Sequence, residues 1–501
     1  MVGITAYGGY VPRLRLQRKA AASANAWLAP NLMGKARGER AMANWDEDAI
    51  TMAVEAARDA LGPSDDRSHI NACILATTTA PFADRLNAGI VAAALTLESS
   101  VGASDMTGSQ KVGVSALSTA LGVVSGAPKT ANLHVLVTAA DRRHSRAASA
   151  AELDNGDAAA AFVIGAKDTL ADWIGGAVST VDFVDHFRGA EEEFDHAWEE
   201  RWIRDEGFAK IVPPVVERAL ASAKLKADAV DVFILPSTFK GVAEGVAKKL
   251  GVKPEAVRDN LSANVGEAGC AHALVMLAHA LETAKAGQVI VVAQFGQGCE
   301  VNIFRTTRLV ETWKPERGVS GWLADRKEET NYMKWLVFNG LVEWEKGMRA
   351  EKDNKTALTT LYRNNDMILG LVGGRCKETG TVQFPRTRIS VNPNKPAVDT
   401  QEPYKFADKS ATILTWSADN LTYAMSPPNH YGMMVFEGGG RIFMDVTDVE
   451  PGDIDSGTPV RMTFRVKEWD DRRGFTRYFW KAAPDRRKIA AAEKSAKVAA
   501  E

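Results

Sequence analysis

A strand, turn-helix and strand pattern that occurs twice in the first 306 residues constrains the fold of this chain most. Three segments, 72–77, 104–117 and 134–140, have counterparts at 230–236, 264–274 and 289–295. The offset is about 155 to 160 residues each time, which indicates an internal duplication. Short apolar strands between Ala-rich helices predict a sheet with helices on both faces. A duplicated α/β half usually places its reaction centre between the halves.

Composition excludes several classes of protein. The chain has 501 residues, 46% of them hydrophobic, which is enough for two or three domains with a large core. A formal net charge of -2 provides no overall basic field for nucleic acid or an anionic membrane. The four cysteines lack the paired spacing of a disulfide framework or a metal knuckle. With no signal-peptide pattern and no stretch of membrane-spanning length, we expect a cytoplasmic protein with no nucleic-acid and no membrane partner.

The turn and helix Ser104 to Leu117 is the first candidate site. Backbone N–H groups at a helix start favour negative charge, so a side chain there is well placed to act on a carbonyl group. The junction offers Gln110 and Lys111, and it contains no cysteine. The alternative interpretation is a tight strand-to-helix turn in which Gly108 and Gly113 permit close packing.

Several motifs in the first 306 residues point to one family. In chain order they are Val2-Gly-Ile-Thr-Ala-Tyr-Gly-Gly-Tyr-Val-Pro12, Asp105 to Leu117, Ala140-Asp-Arg with the later Asn155-Gly-Asp-Ala-Ala-Ala160, and Phe295-Gly-Gln-Gly298. Together they resemble the 3-hydroxy-3-methylglutaryl-CoA synthase branch of the thiolase superfamily. The resemblance implies the α/β thiolase fold, a duplicated α-β-α-β-α arrangement that is normally a homodimer. It also implies an acyl-CoA substrate and a reaction that makes or breaks a C–C bond beside a thioester.

The chain departs from this family at three catalytic positions that the resemblance implies. Gln110 stands in place of the nucleophilic cysteine, Thr78 in place of the acid-base glutamate, and Ile234 to Ser237 contains no histidine where the family has one. Glutamine cannot act as a thiolate, so a covalent acyl-cysteine at this position is excluded. A glutamine here also resembles decarboxylating ketosynthase domains, in which an amide stabilises an enolate.

The turn and helix of the second repeat contains four candidate replacements. Asn264 matches the family's asparagine, whose amide orients a carbonyl oxygen or water. Glu267 is a candidate general base, and His272 is either an acid or base near neutral pH or a histidine of the core. Cys270 would be a substitute nucleophile if the helix dipole lowered its pKa, and otherwise it is inert packing.

A charged, aromatic segment between the halves supplies candidate binding residues. The segment comprises residues 184–188 and 193–207. One interpretation is a solvated helix with pairs such as Glu200 and Arg204. The other is a cap whose cations meet a substrate carboxylate or CoA phosphates, the candidates being His186, Arg188, Arg201 and Arg204. Arg143, in the basic stretch 142–146, is either a further CoA contact or a surface residue.

Composition changes beyond residue 306. We divide the chain into a thiolase-like N-terminal half (1–168), a thiolase-like C-terminal half (169–306), a helical Trp-rich linker that docks onto another surface (307–369), a β-rich domain (370–484) and a tail (485–501). Five short strands separated by Gly, Pro and Asp predict a small barrel in the β-rich domain. The barrel strands are expected at 411–416, 431–436, 441–446, 460–466 and 478–480.

The β-rich domain resembles the zinc ribbon plus OB-fold proteins that accompany acyl-CoA thiolases. The resemblance is carried by Gly373 to Pro385 and Phe436 to Val446. The ribbon's four cysteines are reduced to Cys376, with Thr379, Ser390 and Lys395 in the other places. One thiolate cannot make a closed tetrahedral site, so we expect no structural zinc and no other metal cofactor.

The sequence therefore predicts a CoA-dependent acyltransferase or C–C lyase that acts β to a carbonyl. Its expected substrate is a β-keto acid or a β-keto or β-hydroxy acyl-CoA, with an aryl substituent as one option. In this hypothesis Gln110 and Asn264 position the enolate oxygen, and His272 or Glu267 moves the proton. Two alternatives stay open: a catalytically silent acyl-CoA-binding scaffold for a partner thiolase, and a β-keto acid decarboxylase.

Overall fold

A computed structural model describes residues 1–351 and 356–500 of the protein. Residues 352–355 of the predicted linker and Glu501 of the predicted tail lie outside the described residues. The elements of the first half are β1 (Gly3–Tyr10), β2 (Leu14–Gln17), α1 (Arg18–Ala24), β3 (Glu39–Met42), α2 (Ala49–Leu61), β4 (Ile70–Ala76), α3 (Asn87–Ala94), β5 (Gly102–Met106), α4 (Val112–Gly126), β6 (His134–Asp141), α5 (Ala150–Asp154) and β7 (Ala158–Gly165).

The second half repeats this succession with a longer insertion after its first strand. Its elements are β8 (Ala171–Thr180), β9 (His186–Phe187), β10 (His196–Ala197), α6 (Glu200–Trp202), a π-helical stretch (Ile203–Phe208), α7 (Ala209–Ser222), β11 (Val232–Ile234), α8 (Val242–Leu250), α9 (His272–Leu281), β12 (Val289–Phe295) and β13 (Gly298–Thr306).

The remaining elements form the linker, the β-rich domain and a terminal helix. They are α10 (Leu309–Thr312), α11 (Gly318–Ala324), β14 (Lys327–Glu329), α12 (Tyr332–Phe338), α13 (Leu358–Arg363), α14 (Asn365–Ile368), β15 (Val372–Cys376), β16 (Val382–Gln383), β17 (Gln401–Lys405), β18 (Ala411–Asp419), β19 (Asn429–Phe436), β20 (Arg441–Val446), β21 (Pro459–Asp470), β22 (Phe475–Pro484) and α15 (Arg486–Ala500).

Strand pairing confirms the duplication that the sequence predicts. One sheet runs in the order β11-β12-β13-β8-β1-β7-β6-β4-β5, and the contact between β8 and β1 joins its halves. In the first half β4 and β6 are parallel, and β6, β7 and β1 are antiparallel in turn. In the second half β11 and β12 are parallel, and β12, β13 and β8 are antiparallel in turn. Four strands of the first half therefore correspond to the four strands of the second half, and β5 is an additional strand at the edge of the first half.

The helices complete five layers. Helix α2 packs on β1, β7 and β6, and α7 packs on β8 and β13, so each covers one outer face. Helices α4 and α9 contact each other and strands of both halves, so they form the middle layer. The central strands are buried on both faces, which explains their continuous apolar sequences. The expected α-β-α-β-α arrangement is confirmed.

The linker docks onto the first half through two tryptophans. Trp335 is buried, and its indole Nε1 donates to Glu152 at 2.9 Å while the Arg40 guanidinium lies 4.2 Å from its ring centroid. The ring of Trp322 meets Tyr10 edge-on, with ring centroids 4.6 Å apart. The linker differs from the all-helical expectation, because Lys327–Glu329 adds as the parallel strand β14 to β2.

The five strands expected in the β-rich domain are all present, and β18-β19-β20-β22-β21 form a closed barrel. Ion pairs fix the barrel and the segment before it to the first half, since the buried Arg465 lies 3.3 Å from Asp46 and Arg58 lies 2.9 Å from Asp408, which precedes β18. Because α2 lies between the barrel and the sheet, the outer face of α2 is covered as well.

A small three-stranded sheet, β16-β15-β17, precedes the barrel. The Cys376 sulfur lies 3.1 Å from Thr400 Oγ1, and Lys395 pairs with Glu378 at 2.7 Å. Within residues 1–351 and 356–500, no three His, Cys, Asp or Glu side chains are grouped as metal ligands would be. Across the same residues, no helix combines the length and the apolar character that crossing a bilayer requires.

Candidate active site

The start of α4 lies where the two halves of the fold meet. The Ser109 hydroxyl donates to the Gly296 carbonyl at 2.7 Å and accepts from the Lys111 amide at 3.2 Å. A Cβ on Gly296 would lie 2.8 Å from the Lys111 nitrogen, so only glycine permits this approach. Over the described residues, the backbone N–H of Gln110 has no hydrogen-bond acceptor. This N–H is therefore available to an oxygen atom of a ligand.

Gln110 contacts a group of charged residues that we call the ion-pair cluster: the buried Arg143 and Glu267 and the half-buried Arg188 and Asp195. Arg143 Nη2 lies 2.5 Å from Asp195, and its Nη1 lies 3.2 Å from Glu267. Arg188 lies 3.0 Å from the other oxygen of Asp195 and donates to the Thr78 carbonyl. With its oxygen turned to Arg143, the Gln110 amide accepts from both terminal guanidinium nitrogens, at 2.5 and 3.2 Å.

The ion pairs of Arg143 outweigh its burial. Burial lowers the pKa of Arg143, but the carboxylates of Asp195 and Glu267 raise it further, so that the pKa lies above its ordinary value. Arg143 is thus neither a surface residue nor free to bind a CoA phosphate. Asp195 was not among the residues that the sequence singled out, although it lies in the charged segment that suggested a cap. This segment reaches Arg143 and Thr78, and its role as a cap over a substrate stays a prediction.

His186 lies beside Gln110 as half of an Asp–His pair. Its Nδ1 is 2.8 Å from Asp185 Oδ2, and its Nε2 is 3.4 Å from the end of the Gln110 side-chain amide that also contacts Arg143. The other carboxylate oxygen of Asp185 is buried and has no hydrogen-bond partner in the described part of the chain. His186 also borders a cavity of about 290 Å³, lined otherwise by Val184, Phe187, His196, Trp198 and Trp202.

Asp141 organises the floor of the site, a role the sequence did not reveal. Its fully buried carboxylate accepts from the hydroxyls of Thr77, Thr78 and Thr79 and from the Thr78 backbone N–H. It also accepts from the backbone N–H of Cys270 at 2.8 Å. Thr78, at the position of the family's glutamate, is therefore committed to Asp141. The only sequence signal was the Ala140-Asp-Arg motif.

Cys270 does not meet the condition for a substitute nucleophile. It is fully buried, and its thiol faces the Ala76 carbonyl at 3.5 Å. Burial, reinforced by the nearby Asp141 carboxylate, raises the pKa of Cys270 well above its ordinary value. The pKa is thus raised instead of being lowered by the helix dipole, and Cys270 is a packing residue. A Cβ on Gly113 would lie only 2.1 Å from the Cys270 carbonyl oxygen, so the two segments are in close contact.

His272 and Glu267 occupy different situations. His272 is buried with both ring nitrogens bonded: Nε2 lies 2.7 Å from the Asn260 carbonyl, and Nδ1 accepts from the Ala268 N–H at 3.1 Å. These bonds oppose a role as a proton carrier and favour the core-histidine interpretation. Glu267 is tied to Arg143 and to the Gly269 N–H at 3.1 Å. It is therefore part of the ion-pair cluster rather than a free base.

Three other candidates lie away from Gln110. Asn264 is exposed and borders a different pocket, together with Gln17, Glu39 and Arg326. Arg201 and Arg204 are exposed on the helical segment after β10 and pair with Asp205 rather than with the ion-pair cluster. Glu200 is likewise not the partner of Arg204. The structure thus corrects the placement of Asn264 beside Gln110 and of both arginines against a substrate in the site.

A larger cavity of about 820 Å³ leads to Glu267 and His272 from the surface. Arg37, Lys240 and Arg258 stand on its lining, and Ser237 and Asn260 lie further in. Lys35, another lining residue, is paired with Asp154 at 2.5 Å. Arg143 lies between Glu267 and Gln110, so the ion-pair cluster separates this cavity from the start of α4.

The duplicated sheet, the middle-layer helices and a site at the start of α4 define the thiolase class of fold. The family model for the 3-oxoacyl-[acyl-carrier-protein (ACP)] synthase III C terminal matches residues 220–304. A hydroxymethylglutaryl-CoA synthase of Methanocella arvoryzae is 29% identical over 309 residues, covering 61% of this chain and 88% of that protein. The resemblance to the 3-hydroxy-3-methylglutaryl-CoA synthase branch of the thiolase superfamily, predicted from the sequence, is confirmed.

Solved structures agree on the fold. A structure of HMG-CoA synthase complexed with CoA matches with a TM-score of 0.56 at 16% identity, covering 81% of this chain and 99% of that chain. The 3-oxoacyl-(acyl carrier protein) synthase III of Pseudomonas aeruginosa matches with a TM-score of 0.53 at 20% identity, covering 61% of this chain and 98% of that chain.

Proposed function

We propose that this chain is a CoA-dependent enzyme that makes or breaks a C–C bond β to a carbonyl without forming an acyl-cysteine. The observation that carries the proposal is the unpaired backbone N–H of Gln110 at the junction of the two halves. An N–H fixed at a helix start stabilises the negative oxygen of an enolate as it forms, and it requires no thiol. The buried, high-pKa thiol of Cys270 supports a non-covalent route.

The large cavity is the proposed binding site for CoA. Arg37 and Lys240 are exposed on its lining and Arg258 is partly exposed, and none of the three is in an ion pair within the described residues. Guanidinium and ammonium groups in this setting suit the phosphates of CoA. Its inner end at Glu267 lies next to the ion-pair cluster, on the side of Arg143 that faces away from Gln110.

The quaternary structure and the barrel fold belong to the same proposal. β5 is the outer strand of the large sheet, and its residues are exposed or partly exposed. An open edge can pair with the same strand of a second copy, which supports a homodimer. The closed five-stranded barrel supports the OB-fold assignment. Sedimentation equilibrium at several concentrations would test the dimer, and a monomer at all of them would refute it.

The proposed function is tested by turnover and binding together. The purified protein is incubated with β-keto and β-hydroxy acyl-CoAs and with free β-keto acids, with and without CoA and acetyl-CoA, and products are followed by mass spectrometry. Cleavage to two shorter products, or their condensation, is expected for thioesters. CoA binding without turnover of any compound would instead identify the scaffold, and loss of CO₂ alone would identify the decarboxylase.

Binding variants test the position of CoA. Lys240→Ala and Arg258→Ala should each weaken CoA binding in calorimetry, since a charged group at a phosphate contributes about 1 to 3 kcal/mol, or roughly 5- to 150-fold in affinity. Lys377→Ala, at an exposed lysine in the turn after β15, is the matched control and should bind CoA as the unchanged protein does. Equal affinity in all three variants would rule out this cavity as the phosphate site.

A further inference from the structure

We propose that the Asp185–His186 pair moves the proton in this site, and that the adjoining aromatic cavity holds an apolar or aryl acyl group. The inference rests on the proposed function and adds to it the proton carrier and the substrate class. It differs from the sequence-based hypothesis, in which His272 or Glu267 moves the proton and His186 binds substrate.

Hydrogen bonding separates His186 from the other candidates near the site. His272 uses both ring nitrogens within the protein, and Glu267 is held by Arg143 and a backbone N–H. His186 also has a contact at each ring nitrogen, but its Nε2 contact is long, 3.4 Å to the side-chain amide of Gln110, whereas its Nδ1 lies 2.8 Å from Asp185. A carboxylate on one ring nitrogen fixes the ring orientation and stabilises the imidazolium form when the other nitrogen takes a proton.

The proton-transfer step follows from this placement. The Nε2 lone pair takes a proton from the carbon next to the thioester carbonyl. The C–H electron pair becomes the C=C bond of the enolate, and the thioester oxygen carries the negative charge toward the Gln110 N–H. The resulting imidazolium is stabilised by Asp185 and returns the proton to carbon in the reverse step. No oxidant or further reactant is required.

The cavity beside His186 determines the substrate class. Its volume is about 290 Å³, and four of its five other lining residues carry rings. The ring of Trp202, which lines the cavity, stacks on Phe183 with ring centroids 3.9 Å apart, and this contact keeps Trp202 in place. Phe187 and Trp198 are more than half exposed, so a bound apolar group would cover surface that is otherwise in water. A small acetyl group would leave this surface uncovered.

Deuterium exchange tests the proton carrier. The unchanged protein in D₂O should exchange the α-hydrogens of 3-hydroxy-3-phenylpropanoyl-CoA, followed by mass spectrometry. His186→Gln should slow exchange by about 10²- to 10⁴-fold, the usual contribution of a general base, with CoA affinity unchanged. Imidazole should restore exchange in His186→Ala. His69→Gln, at an exposed histidine, should exchange at the normal rate.

The outcomes separate this inference from the proposed function. Normal exchange in His186→Gln would overturn the role of His186 while leaving the proposed function intact. No exchange and no turnover with any thioester in the unchanged protein would overturn both. For the cavity, Trp198→Ala should raise KM more for the phenyl substrate than for acetoacetyl-CoA. Equal effects on the two substrates would overturn the assignment of the cavity.

Discussion

Replacing Gly269 by alanine tests whether Asp141 holds the floor of the site together. Gly269 lies directly before Cys270 in the turn that leads into α9, with a φ of +56°. A Cβ at this position would lie 2.3 Å from Oδ2 of Asp141, the oxygen that accepts from the Cys270 N–H. Because this carboxylate is fully buried and also holds the threonines at 77–79, it cannot move aside without losing hydrogen bonds.

Two terms set the size of the effect. A left-handed conformation costs a residue with a Cβ about 1 to 2 kcal/mol, and forcing an extra group into a packed site costs about 1 to 3 kcal/mol more. Gly269→Ala should therefore lower the free energy of unfolding by about 2 to 5 kcal/mol. Gly287→Ala is the matched control, because Gly287 also has a positive φ, +85°, but no heavy atom within 4 Å of its Cβ position. Gly287→Ala should therefore lower the free energy of unfolding only by the cost of the left-handed conformation, about 1 to 2 kcal/mol.

The assay is urea unfolding of both variants, followed by the fluorescence of the 12 tryptophans. The difference between the variants isolates the contact with Asp141, so we expect Gly269→Ala to be the less stable by about 1 to 3 kcal/mol. An equal loss of unfolding free energy in the two variants would show that the Asp141 carboxylate can move aside without destabilising the protein, and the reasoning about the floor of the site would be refuted.

Three further predictions concern charge. Arg143→Met should destabilise the protein by about 3 to 5 kcal/mol, because Glu267 is left buried without its partner. Adding Glu267→Gln to this variant should restore part of the lost stability in thermal unfolding, and no recovery would contradict the coupling of the two residues. Burial raises the pKa of Asp59 to about 6, so the free energy of unfolding should fall by about 3 kcal/mol as the pH rises from about 4 to about 6. Urea unfolding at several pH values should show that Asp59→Asn removes this part of the pH dependence. Cys270 should react with iodoacetamide at pH 8 only after unfolding, as read by peptide mass spectrometry, and labelling of the native protein would contradict its raised pKa.

Much of the fold could be predicted because central strands carry a strong signal. Strands such as β6 and β7 are buried on both faces, so their sequences are continuously apolar, and the segment expected at 134–140 is found as the strand His134–Asp141. β8 was missed because Gly175 and Gly176 interrupt its pattern. A Cβ on Gly175 would lie 2.7 Å from the Ser222 hydroxyl at the end of α7, so tertiary packing requires the glycine that weakens the strand signal.

The site was less predictable because its contacts join distant parts of the chain. Gln110 could be identified from its motif, and its position at the start of α4 is as expected. Asn264 was placed beside it by motif spacing, but Asn264 is exposed and lines a pocket that does not include Gln110. The pairing of Arg143 with Asp195 and Glu267 spans 52 and 124 residues, and no local pattern encodes it.

The charge balance of the ion-pair cluster argues for a thioester rather than a free β-keto acid as the substrate. Arg143 and Arg188 already face Asp195 and Glu267, so two cations meet two carboxylates. A free carboxylate entering the site would have to displace one of these buried partners, which would leave an uncompensated charge. A thioester brings no full charge until the enolate forms, and the Gln110 N–H, which has no acceptor among the described residues, is then available to it. Replacing the family's thiol by an amide therefore fits a reaction in which the bound acyl group stays on CoA.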